Sequence, residues 1–308
     1  MLSGEFAFLD RLRRALPERP AGQVGVGDDA AVLEGGLLLC TDALTEGIHF
    51  DLRWSTPGDV GWKALAVNLS DIAAMGGTPR AAVCAVVLAA GRKGEADDLA
   101  AGIMAAAVEL GCPLVGGDTS VGSALTVTVT VVGDSPAGGA VLRQGASPGD
   151  SIFVTGPLGG SRAALRALRL GEAADPVALA RLQRPVPRLV EGGTAATAGA
   201  SAMIDLSDGL SSDLAHLCRA SGVGARLEAS AVPLGPGATV DDALAGGDDY
   251  ELCFTAPDPV RVAEAFAAAG LHLPAPIGSV TAGDEVLLGT PNGGSWPLAP
   301  GGWEHRVE

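Results

Sequence analysis

The chain has 308 residues, 36 acidic against 20 basic, for a formal net charge of −16, with 47% apolar and 18% charged residues. That composition builds packed cores and excludes a disordered acidic tail, and the length suits two domains of about 150 residues each. Lysine occurs only at Lys63 and Lys93, which excludes a polybasic surface for nucleic acid or an anionic membrane.

Apolar residues at helical spacing (Phe6, Leu9, Leu12, Leu16) predict a helix over 5–16, ended by Pro17. A short strand is expected at 37–41. Thr56-Pro57 opens a long helix through Trp62, Leu65, Leu69 and Ile72 to Gly76-Gly77. A buried strand at 81–88, a helix at 97–110 and a Val/Thr-alternating strand at 125–132 follow. The Gly-, Pro- and Ser-rich stretch 133–149 reads as a domain junction, giving an N-terminal domain over 1–136 and a C-terminal domain over 147–308. Beyond it come a strand at 151–155, helices to about 197, a short strand into Asp205 and a helix over 207–221. Strands near 225–228 and 252–255, a helix at 259–269 and two short strands complete an α/β chain with mixed α+β sheets.

No basic and apolar leader stands at the N-terminus, and the purest apolar run, 81–90, is about half a bilayer span. Cys40, Cys84, Cys112, Cys218 and Cys253 form no C-x-x-C pair. They read as reduced core residues in a cytoplasmic protein.

The aspartates are the informative feature. They sit in short Gly-flanked or strand-terminal segments: Gly27-Asp28-Asp29, Thr41-Asp42, Asn68-Leu69-Ser70-Asp71, Gly116-Gly117-Asp118, Asp205-Leu206-Ser207-Asp208-Gly209 and Gly247-Asp248-Asp249. Any one of them is ordinary turn or N-cap chemistry. Together, with three following apolar runs directly, they read as strands aiming carboxylates into one cleft at a sheet edge. Carboxylates so gathered repel one another, and in a chain with two lysines hard divalent cations are the expected remedy. Oxygen-only ligands favour Mg²⁺, Mn²⁺ or Ca²⁺ over zinc.

Other motifs fail on spacing. Asp205 to Asp213 lacks the calcium-loop register, and neither lysine stands in a P-loop. Gly25-x-Gly27-x-x-Ala30 has no strong preceding strand and would set Asp28-Asp29 against a pyrophosphate. No Ser lies in a G-x-S-x-G elbow. Metal-assisted phosphoryl transfer remains.

Six ordered segments closely resemble the thiamine-monophosphate kinase family of the aminoimidazole-ribonucleotide-synthetase-like superfamily: Gly27-Asp28-Asp29-Ala30-Ala31; Thr41-Asp42-Ala43-Leu44 with Glu46-Gly47-Ile48-His49-Phe50; Lys63-Ala64-Leu65-Ala66-Val67-Asn68-Leu69-Ser70-Asp71; Gly116-Gly117-Asp118; Ile204-Asp205-Leu206-Ser207-Asp208-Gly209; and Gly247-Asp248-Asp249-Tyr250-Glu251. The resemblance implies that superfamily's two-domain architecture and a homodimer built through the N-terminal sheet. It also implies Mg²⁺-dependent, direct in-line transfer from ATP to thiamine monophosphate. Several Mg²⁺ ions would be held by Asp28, Asp29, Thr41, Asp42, Asp71, Asp118, Asp205 and Asp208. Gly117, Asp118, Arg143 and Ser207 would contact ATP; His49, Asp248 and Trp303 would contact the acceptor, with no protein nucleophile. Asp248 stands where the family pattern has Glu.

Physical reasoning supports two of these assignments. A planar guanidinium at Arg143, in the junction, can grip a phosphate. Ser207-Asp208 stands at an expected helix start, where backbone N–H groups favour anions. The competing readings are another ATP-dependent enzyme of the superfamily, aminoimidazole-ribonucleotide synthetase being the nearest, and a non-catalytic metal- or nucleotide-binding protein on the same scaffold.

Overall fold

A computed structural model describes residues 8, 11–12, 14–17, 20–92, 94–290 and 294–303. The helix expected over 5–16 lies largely outside the described residues. The strands form two sheets. The first comprises β1 (Ala31–Val32), β2 (Leu37–Thr45), β3 (Thr78–Ala89), β4 (Leu114–Gly122) and β5 (Thr126–Asp134), in the order β1-β2-β5-β3-β4. Only β3 and β4 pair in parallel. In β5 the Val/Thr alternation becomes two faces: Val127, Val129 and Val131 are fully buried, and the threonines between them are only partly covered.

Helix α1 (Pro57–Ala74) packs on the valine face, against β2 and β5, with α2 (Gly94–Glu109) beside it. A capping box starts it: Thr56 accepts from the Asp59 N–H, the Asp59 carboxylate accepts from the Thr56 N–H, and Pro57 occupies the first turn. Its apolar residues leave no solvated stripe. All but two of its 18 residues are buried, as expected of a helix enclosed on every side. The cover on its far side is the second half of the chain, where α1 meets β7 (Ala202–Asp205) and helices α4 (Pro176–Gln183) and α5 (Leu189–Ala198).

The second sheet joins β7 to β6 (Ser151–Val154), β8 (Gly224–Glu228), β9 (Leu252–Ala256), β10 (Ala275–Thr281), β11 (Val286–Gly289) and β12 (Ser295–Pro297), in the order β12-β11-β8-β10-β6-β9-β7. One face carries a stacked aromatic column, Phe153 on Phe254 at 5.1 Å and Phe254 on Phe266 at 6.1 Å. Phe266 comes from α8 (Pro259–Ala268). The other core holds Ile204, Leu210, Leu214 and Leu217, the last three from α6 (Leu210–Ser221). Helices α3 (Gly160–Leu170) and α7 (Val240–Ala245) complete this half. Residues 135–150 contain neither helix nor strand.

Three boundaries differ from expectation, each for a local reason. β2 runs on to Thr45 because its pairing with β5 continues to Thr126, so Asp42 lies within the strand. β4 passes straight through Gly116-Gly117-Asp118; a Cβ on Gly117 would overlap the Cys84 carbonyl, so this glycine permits close strand pairing and makes no turn. α6 starts at Leu210 with Gly209 as its N-cap, at φ 119°, and not at Ser207.

Glycines also set the crossing of α1 and α2. A Cβ on Gly102 would overlap the Gly58 carbonyl, and one on Gly61 would overlap the Leu99 carbonyl. Gly102→Ala is expected to destabilise the fold by about 1–3 kcal/mol in denaturant titration. Gly94→Ala, where a Cβ meets nothing within 4 Å, is expected to leave stability unchanged.

Candidate active site

The floor of the site lies on the seam between the halves. Asp205 ends β7, Asp71 stands in the last turns of α1, and Asp29 follows the left-handed turn at Gly27. Carboxylate oxygens of these three lie within 4.8 Å of one another. Helix α1 fastens both sides. Ser70 donates to Asp205 Oδ2 at 2.7 Å, and the wholly buried Asn68 accepts the Asp42 N–H at 3.0 Å while donating to the Ala64 carbonyl.

Burial and mutual repulsion disfavour charge on Asp28, Asp42, Asp71 and Asp205. Desolvation first, then Asp29, raises Asp28 to about 7, Asp42 to about 6 and Asp205 to about 8. Asp71 is pushed well above the usual range by burial and then by Asp42. Arg143 is the opposing cation. Its Nη2 lies 2.5 Å from Asp29 Oδ1, and its backbone N–H reaches both oxygens of Asp28 at 3.3 and 3.2 Å. Burial works against the guanidinium charge, but Asp29, Asp205 and Asp28 outweigh it and raise its pKa. Two buried atoms here lack a hydrogen-bond partner among the described residues: Asp29 Oδ2 and Arg143 Nε. An orphaned carboxylate oxygen amid oxygen-only donors fits a hard divalent cation.

Above this floor opens a cavity of about 890 Å³ lined by both halves. One face of α1 forms a wall, with Asp59, Val60, Lys63, Val67 and Asp71 in line. His49, Asp248 and Trp303 also border the cavity. The His49 ring accepts the Thr45 N–H on Nδ1 at 3.0 Å. Asp248 and Tyr250 hold positive φ of 67° and 49°, and their N–H groups donate to the Ser207 and Leu206 carbonyls, both at 2.9 Å. Gly301 and Gly302 donate to the Ser211 and Ser212 hydroxyls, and the Trp303 N–H reaches the Asp208 carbonyl at 3.1 Å. The tail therefore lies along the start of α6, with the Trp303 ring half exposed.

Of the expected site residues, Asp28, Asp29, Thr41, Asp42, Asp71, Arg143, Asp205, Ser207, Asp208, His49, Asp248 and Trp303 border this one cavity. Gly117 and Asp118 do not. β4 is the outermost strand, three strands from β2 and so about 14 Å away. Asp118 aligns through Ala85 and Thr128 with Ala43, on the face opposite Asp42. The expectation that its strand would end in the common cleft fails because β4 continues past it. The Thr41 hydroxyl donates to the Val129 carbonyl at 3.0 Å and meets the Thr130 hydroxyl at 2.9 Å. The N–H groups of Asp208 and Gly209, expected to face an anion, are taken by the buried Asp213 carboxylate at 3.1 and 3.0 Å. Sequence reasoning assigned no role to Lys63, Asn68, Ser70 and Tyr250. The available signal was that the first three are polar residues inside a helix whose other polar positions are only Asp59 and Asp71.

Two α/β halves closing over a carboxylate floor define an AIR synthase related protein. The family models for the N-terminal and C-terminal domains of that class match residues 27–134 and 147–289. The thiamine-monophosphate kinase of Salmonella typhimurium is 40% identical over 306 residues, 93% of each chain. A solved structure described as AaThiL complexed with AMPPCP and TMP superposes with a TM-score of 0.86 at 34% identity, covering 98% of this chain and 97% of that one. The thiamine monophosphate kinase structure from Aquifex aeolicus gives 0.80 at 32%, covering 96% and 98%. The chain belongs to the thiamine-monophosphate kinase family, whose members are phosphotransferases.

The raised carboxyls carry a pH signature. Unfolded, they titrate near pH 4; folded and metal-free, Asp42, Asp28 and Asp205 hold their protons to about 6, 7 and 8. Stability from this source is full below about pH 4 and is lost as pH rises through the folded values. In chelator, the melting temperature is expected to fall between about pH 5 and pH 8, and added Mg²⁺ to restore more at the higher pH. A melting temperature that holds or rises over that window without metal would contradict the clustering.

Proposed function

We propose that the chain transfers the γ-phosphoryl group of ATP to the phosphate of thiamine monophosphate, in line and without a phospho-enzyme, with Mg²⁺ as the metal. One observation carries the reading: carboxylates from both halves converge within 4.8 Å, with one oxygen unpartnered, on the floor of a cavity of about 890 Å³. Kinship with proteins named for this activity, one of them solved with AMPPCP and TMP, supports it.

Asp28, Asp29, Asp42, Asp71, Asp205 and Asp208 would hold the metal. A divalent cation held by these residues would supply charge neutralisation for the approach of two phosphate groups. The acceptor oxygen is already ionised near neutral pH and needs no base. Arg143, with Nε unpartnered, is set to turn its guanidinium edge toward a nucleotide phosphate. His49 accepts on Nδ1, so a neutral ring carries its proton on Nε2 and can donate it to the acceptor's phosphate. Trp303 offers a ring face for the cationic heterocycle. Residues 1–136 would thus supply most of the metal site, and both halves would contribute to the acceptor end.

The reading includes a homodimer. β4 is exposed from Leu114 to Val121 despite carrying Leu114, Val115 and Val121, and an open apolar edge of this kind calls for cover. A second copy packed there is the route by which Gly117 and Asp118 reach a nucleotide. It also includes a cytoplasmic setting, supported by five buried cysteines without disulfides. No helix among the described residues is long and apolar enough to cross a membrane.

Purified protein with ATP, Mg²⁺ and thiamine monophosphate is expected to form thiamine diphosphate and ADP, and Asp42→Asn and Asp208→Asn to lower kcat by at least about a hundredfold with the fold intact. Absence of product while ATP still binds would remove the kinase reading; near-normal variants would remove those two residues from the metal site. Light scattering is expected to return twice the chain mass, and a monomer at micromolar concentration would overturn the dimer.

A further inference from the structure

Lys63 is one of two lysines in 308 residues, yet its side chain is only 4% exposed. It stands on the cavity face of α1, two residues-of-four steps before Asp71, about 12 Å away by helical rise. An ammonium at such depth requires a partner. Nζ lies 2.8 Å from Asp248 Oδ1, across the seam between the halves. The same oxygen accepts the Tyr250 hydroxyl at 3.1 Å, so both contacts fall on Oδ1 of a side chain that borders the cavity.

The turn carrying Asp248 is held under strain, with two non-glycine residues in the left-handed region. It is clamped at each point: Ser161 donates to the Asp248 carbonyl at 2.7 Å, and the backbone N–H groups of Asp248 and Tyr250 are fixed on 206–207. A strained turn so heavily braced fixes the direction of one side chain, and that side chain ends on Lys63.

We propose that Lys63 is a positioning residue for acceptor recognition: with Tyr250 it immobilises one oxygen of Asp248 and presents the other to an N–H donor on the acceptor's heterocycle. The pair is neutral overall, so this end of the cavity reads a hydrogen-bonding group, while the phosphates lie at the carboxylate floor two helical turns away. The inference rests on the reading of the chain as a kinase of thiamine monophosphate.

The test is steady-state kinetics of the full chain with Lys63→Met, Lys63→Gln, Asp248→Asn and the Met/Asn double variant, each checked by thermal melting. Lys63→Met is expected to raise KM for thiamine monophosphate about tenfold or more and leave KM for ATP within about twofold. The double variant is expected to be no worse than Asp248→Asn alone, since Lys63 acts through that carboxylate. Lys63→Gln, which keeps an N–H donor for Asp248, is expected to raise the acceptor KM less than Lys63→Met does, and if the Met variant does not fold, Asp248→Asn carries the comparison of acceptor KM against ATP KM. An unchanged acceptor KM, an equal rise in the KM for ATP, or losses that add in full would overturn the proposal. Wild-type protein inactive on thiamine monophosphate would instead sink the function on which it rests.

Discussion

Five carboxylates that repel one another hold the molecule's chemistry at the seam between its two sheets. Asp28, Asp29, Asp42, Asp71 and Asp205 come from a turn, a strand, a helix and a second strand, and the raised pKa values of Asp28, Asp42, Asp71 and Asp205 record the cost of bringing them together. Arg143 offsets part of that cost, Ser70 donates a hydrogen bond to Asp205, and Asn68 accepts the Asp42 backbone N–H. A site of this kind is stable only when the frame around it is rigid. Helix α1, enclosed on nearly every side, supplies that frame.

α1 also links the two ends of the cavity. Asp71 lies at the carboxylate floor and Lys63 two turns earlier, on the same helix face, so the separation between the carboxylate floor and the Lys63–Asp248 pair is set by helical rise. The second half of the chain closes on this face by ion pairs as well as by packing: Lys63 with Asp248, Arg184 with Asp59, and the Ser70 bond to Asp205 all cross the seam. Binding an acceptor between these groups would therefore bear on the position of one half against the other.

Much of the fold was legible because hydrophobic period and punctuation agree with it. The Val/Thr alternation of β5 became a two-faced strand, Thr56-Pro57 became a capped helix start, and the run into Asp205 became β7. The boundaries misread depend on neighbours in space: β2 runs on with its partner β5, α6 starts only after Gly209, and in β4 a glycine serves packing instead of turning. Gly116-Gly117 looks like a strand end, yet Gly117 is there because the Cys84 carbonyl leaves no room for a Cβ. The acids of the site were legible for the reason that α6 was displaced: Asp-Gly segments mark backbone that can bend toward a ligand, and only packing decides where the next helix begins.

From the sequence alone came the acidic clusters, the two-part α/β chain and the kind of ligand that oxygen donors select, because these depend on residue type and local spacing. Which carboxylates actually meet was decided by tertiary structure. Asp29, Asp71 and Asp205 are separated by scores of residues and converge only because α1 is buried against both sheets, whereas Asp118, equally promising in its motif, faces outward on an edge strand. The partnership of Lys63 with Asp248 belongs to the same class: a lone lysine in an apolar helix signals a buried charge, but its partner is set by the packing of one half of the chain on the other.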